Sequence, residues 1–84
     1  MLDRDTKKKI KQKANELTDI NLSDGQAYAV EYKAMYESGE FNCGECFLIS
    51  RLVDLYAAIK QGIVDKDEGK LRQKQLFDTV EFEE

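Results

Sequence analysis

The chain predicts an all-α fold, a small bundle of about four helices in a single domain over residues 1–84, and three observations carry that reading. No proline interrupts it anywhere. Three of its five glycines, Gly39, Gly44 and Gly62, stand at the edges of apolar runs with helical spacing. Capping side chains precede several of those runs. At 42% hydrophobic and 36% charged the sequence is far from apolar-poor disorder, and 84 residues provide one core and no second.

The first helix is predicted over residues 3–19, where Ile10, Ala14 and Leu17 form a thin apolar stripe on a charged cylinder. Residues 20–22 break the pattern. Ser23-Asp24-Gly25-Gln26 then reads as a capping box, a hydroxyl for the amide three residues on and a Gln reaching back, opening a second helix over 24–38. Gly39 suits the left-handed residue that ends it. Asn42 and Glu45 repeat the capping logic for a third helix over 43–61, whose Cys46, Ile49, Leu52, Val53, Leu55, Tyr56 and Ile59 cover most of its circumference. This is the predicted core helix. Its solvent stripe is Ser50, Arg51, Asp54, Ala58 and Gln61, with Phe47 intruding.

Asp65 to Glu68 cap a fourth helix over 66–78, with Ile63 and Val64 placed to staple its start and Leu71, Leu76 and Phe77 facing inward. Gly69 weakens it by about 1 kcal/mol relative to Ala. The acidic end, residues 79–84, is expected to be extended or frayed.

Net charge is −4, but residues 1–13 hold six Lys or Arg against two Asp, +4, which leaves −8 for residues 14–84. An acidic body argues against sequence-specific nucleic-acid binding and suits a protein partner with a basic surface. The apolar stretch at 52–59 is far below the roughly 18 residues of a membrane span. Two cysteines without a preceding leader point to a reducing cytoplasm rather than a disulfide framework.

Cys43-Gly44-Glu45-Cys46 places a thiol at the first position of a helix, where unpaired amides favour thiolate. Thiol oxidoreductases set such a pair after a strand; here no strand pattern precedes it, and Glu45 opposes thiolate formation. Two small packing residues are the plainer account. With no His and no third Cys, one chain cannot close a soft-ligand zinc site, although Cys43 and Cys46 could bridge zinc across a symmetric dimer.

The second helix presents Tyr28, Tyr32, Met35 and Tyr36 on one face, a composition shared by cores and by binding hot spots. Tyr28, Tyr32, Tyr36, Phe47 and Arg51 are the candidate partner-binding residues. Arg4, Lys7, Lys8 and Lys11 form a basic patch that is either phosphate-facing or simply solvated. The sequence holds no His, no Gly-rich phosphate loop and no nucleophile elbow, so no enzyme activity and no cofactor is expected.

The stretch from Leu55 to Lys70, LYAAIKQGIVDKDEGK, resembles the helix, Gly, apolar pair, acidic cap and helix arrangement of small helical proteins of bacteriophages and mobile elements. That resemblance implies function by binding, in the cytoplasm of a bacterial host, and transfers no residue. The resulting expectation is a non-catalytic protein-binding module, in its narrow form a phage-encoded inhibitor of a host defence system that occupies a basic site. Two alternatives stand beside it. One is an oligomeric sponge for a nucleotide, enclosed between tyrosines and the basic helix; the other is a CxxC thiol or dimer-bridging zinc protein.

Overall fold

A computed structural model describes the backbone of residues 3–82 and the side chains of residues 3–79. Among the described residues there are four helices, α1 (Arg4–Ser23), α2 (Gly25–Ser38), α3 (Cys43–Lys60) and α4 (Lys66–Phe82), and no strand. None is long and apolar enough to cross a membrane.

Helix α1 begins where the Asp3 carboxylate accepts the Thr6 amide at 2.7 Å, a bond that also holds the Asp3 carboxyl below its ordinary range. It does not stop at residue 19. Ile20 continues the buried stripe of Ile10, Ala14 and Leu17 and packs on the core, so the helix runs unbroken through the expected gap. Ser23 is its last residue, and its hydroxyl donates to the carbonyls of Asp19 and Ile20 at 3.0 and 3.2 Å. The cap of α2 is therefore Asp24, not Ser23. Its carboxylate accepts the amides of Gln26 and Ala27, while its own N–H donates to the Ile20 carbonyl at 2.7 Å. Ser23 is still helical, with its hydroxyl turned back onto its own helix, so the cap falls to the next residue.

Gly39 ends α2 with φ 75, and Gly62 follows α3 with φ 78, both in the left-handed region that glycine enters without strain. The box at α3 is complete: Asn42 accepts the Glu45 amide at 2.8 Å, and Glu45 accepts the Asn42 amide at 2.9 Å. Helix α3 buries Cys46, Leu48, Ile49, Leu52, Val53, Leu55 and Ala57. Each large apolar side chain so placed contributes about 1.5–3 kcal/mol, which makes α3 the centre of the fold.

At α4 the Asp65 carboxylate accepts the Glu68 amide at 2.8 Å. Val64 is buried but Ile63 is 74% exposed, and the position that would complete a staple is Gly69. That glycine has a packing role. A Cβ there would lie 3.0 Å from Cγ1 of Ile59 and nearer still to its Cδ1, so the missing side chain is what lets α4 close on α3. Gly69, Gln73, Leu76 and Phe77 make the inward stripe; Leu71, two residues or about 200° round from Gly69, is 52% exposed instead of inward. The helix continues to Phe82. The acidic end expected to be extended or frayed reaches, at residues 83 and 84, outside the described residues.

Packing is most extensive between α1 and α3, with α2 laid on α1 and α4 on α3. The result is flat, 34 × 33 × 18 Å. With α1 covering one side of α3, the opposite side of α3 is left between two flanking helices.

Candidate functional site

The uncovered side of α3 follows from its own periodicity. Cys43, Phe47, Arg51, Asp54 and Ala58, three or four residues apart, share a face; the first four are exposed, whereas Ala58, expected on the solvent stripe, is half-buried against the core. Phe47 on that face is 63% exposed. One turn on, the Arg51 guanidinium sits 6.0 Å from the centre of its ring, a cation–π contact of about 0.5–1 kcal/mol at an exposed site. The pair forms an apolar knob with a held cation beside it.

The α2 flank is made by two tyrosines. Their rings stand 6.1 Å apart, tilted by 37°, and the Tyr32 hydroxyl donates to the Cys46 carbonyl of α3 at 2.8 Å. Burial holds the Tyr28 phenol above its ordinary range; the nearby Asp54 carboxylate adds to that rise, and Ser50 partly opposes it. Burial likewise raises the Tyr32 phenol, chiefly by desolvation. The expected Tyr face thus divides. Tyr28 and Tyr32 are half-buried ties between α2 and α3, whereas Tyr36 is 54% exposed.

The α4 flank encloses a groove of about 470 Å³. Arg51, Asp54, Leu55 and Ala58 line it from α3, and Arg72, Leu76 and Thr79 from α4. Arg72 is held by Glu68, Nε to Oε1 at 3.1 Å. Sequence reasoning missed this wall. Its signal was the 72, 76, 79 spacing of a helix face, obscured because residue 79 was assigned to the tail.

The two cysteines part company in the fold. Cys43 is exposed, while Cys46 is 2% exposed with its thiol directed at the Phe41 carbonyl 3.6 Å away. Burial first, then Cys43 and Glu45, pushes the Cys46 thiol up, the opposite of what a thiolate nucleophile or metal ligand needs. Among the described residues no group of three or more His, Cys, Asp or Glu side chains is placed to hold a metal.

Arg4, Lys7, Lys8 and Lys11 line a separate concavity of about 510 Å³ along the first turns of α1. Lys11 lies 5.4 Å from the centre of the Phe77 ring. No tyrosine is among the residues lining this concavity, so the tyrosines and the basic patch do not share it. A third depression, about 340 Å³, contains Lys13, which pairs with Glu16 at 3.7 Å and Glu40 at 4.0 Å.

Comparison with protein-family models, with curated proteins and with solved structures finds no match to this chain.

Proposed function

We propose that the chain is a non-catalytic protein-binding module whose contact face is the uncovered side of α3. The observation that carries the reading is Phe47, a large ring left 63% exposed with the Arg51 guanidinium 6.0 Å from its centre, one turn before the groove that Arg51 helps to line. An aromatic and an arginine side by side are the residue types that dominate binding energy at interfaces. Leaving such a ring in water forgoes the burial that stabilises the rest of α3.

The narrower form of the proposal makes the partner a host defence enzyme with a basic site. Its support is the net charge of −4 and the phage-like stretch at 55–70, not the α3 face, which presents an arginine. The thiol and zinc readings draw no support from a buried, pKa-raised Cys46. The sponge reading would need a second chain to supply the tyrosines.

Affinity capture from bacterial extract tests the proposal with the wild-type chain and the double variant Phe47→Ala/Arg51→Ala, both matched for helicity by circular dichroism. A protein retained at moderate salt should be lost with the variant, reflecting a cost of about 2 kcal/mol or more. Retention of nothing, or of the same proteins by both, overturns it.

A further inference from the structure

The exposed stripe of α3 is its own complement, and we infer that a second copy of the chain docks on it across a two-fold axis, with the two α3 helices antiparallel. This rests on the contact-face reading above and names one occupant of that face. Phe47, Arg51, Asp54 and Ala58 follow one another at steps of four, three and four residues, the seam spacing by which two helices pack side by side. Those steps read the same in both directions, so a reversed copy presents the same seam. In a two-fold contact, whatever residue one copy offers a position, it receives there in return. An antiparallel pair centred between Leu52 and Val53 sets Arg51 of each copy level with Asp54 of the other, and Phe47 of each level with Ala58 of the other. One register thus brings a cation to a carboxylate and a large ring to the smallest side chain of the stripe.

The charges of the face match that register. Arg51 and Asp54 are both exposed, and neither has an ion-pair partner among the described residues; the Arg51 guanidinium lies 6.0 Å from the Phe47 ring centre instead. Arg72 on the far wall is already met by Glu68, Nε to Oε1 at 3.1 Å, which leaves Arg51 and Asp54 as the groove charges to be answered from outside. The axis answers both at once. The shapes match as well. Ala58 lines the groove of about 470 Å³ together with Leu55 and Leu76, so the second copy's ring enters beside apolar side chains. Phe47, 63% exposed in one chain, is thereby withdrawn from water in two. The −4 charge of each copy is spread over the chain and screened within about 8 Å, whereas the facing pairs are in contact. A second copy and another protein exclude one another here, since both use Phe47 and Arg51.

Sedimentation equilibrium of the purified chain from micromolar to millimolar concentration tests the inference, and should show monomer and dimer in reversible exchange. Arg51→Glu and Asp54→Arg, both at exposed positions and checked for unchanged helicity, should each weaken the dimer at least about tenfold. Mixing the two single variants puts opposite charges back at both crossings, so native mass spectrometry should show the mixed dimer in excess of either homodimer. The exchange of both charges within one chain, Arg51→Glu/Asp54→Arg, should also recover most of the loss. A monomer at millimolar concentration overturns the inference, as does a dimer indifferent to the single variants or not rescued by mixing them. Either result leaves the contact-face reading standing. Failure of that reading appears separately, as capture indifferent to Phe47→Ala/Arg51→Ala.

Discussion

Helices α2 and α3 begin with similar caps and each is bounded by a glycine, yet α3 buries seven residues and α2 only Met35. The difference lies in how each is held. Around α3, aliphatic side chains meet α1 on one side and α4 on another, and their burial is non-directional. Helix α2 lies on α1 and reaches α3 only through half-buried rings and one side-chain hydrogen bond to the Cys46 carbonyl. Aromatic richness therefore marks the attached helix here, and aliphatic density marks the permanent one. Regions with few buried apolar contacts are the ones that open first.

Substitution in α3 should break the contrast most severely. Leu52→Ala, at a fully buried position, is expected to cost about 2–5 kcal/mol, a large fraction of the roughly 5–10 kcal/mol available to a small domain. Urea denaturation would show the midpoint collapsing, and a cost under about 1 kcal/mol would mean that α3 is not the centre of the fold.

Tyr32→Phe should have a smaller and more local effect. Losing the hydroxyl leaves the Cys46 carbonyl with one partner fewer, at about 1 kcal/mol. Hydrogen exchange should accelerate across residues 25–38 and stay near wild type in the middle of α3. Uniform acceleration in both helices would show that α2 is no weaker than its neighbour.

Raising the pH should reveal the same ties more gently. Burial pushes Tyr56 up to about 12, with its hydroxyl on Gln73 at 2.5 Å, and it raises Tyr28, Tyr32 and the Cys46 thiol as well. The unfolded chain releases these protons first, near pH 9 for the thiol and near pH 10 for the phenols, so above those values the native state holds more protons. The stability these four groups contribute is fully present below about pH 9 and is lost as the pH climbs toward about 12. Urea midpoints between pH 8 and 11 should trace that descent, and Tyr56→Phe should make it shallower. A flat profile, or an unchanged slope in Tyr56→Phe, contradicts the assignment.

The elements most legible in the sequence were those governed by local chemistry. Asn42 with Glu45, Gly39 and Gly62 act over three or four residues, and each does in the fold what its residue type dictates. The identity of α3 as core helix was legible because its apolar density exceeds what one face needs. Other features depend on what lies across a contact. Ile20 looks like a break until α1 is packed, and Gly69 looks like a weak point until Ile59 is placed over it. Leu71 reads as inward only if the register of α4 is set without that glycine. For the candidate site, Phe47 and Arg51 could be found from their place on the polar stripe. The split between Tyr36 and the other two tyrosines, and the arginine on the far wall, required the helices to be assembled.

Asp24 joins α1 to α2 with no linker, serving as the last acceptor-bound amide of one and the carboxylate cap of the next. A joint of one residue has no slack, so the backbone at Asp24 sets the direction of α2 along its whole length of about 21 Å. A rotation of about 20° at Asp24 would carry the far end through about 7 Å. The angle fixed at that one residue therefore decides whether Tyr32, two turns along, meets the Cys46 carbonyl.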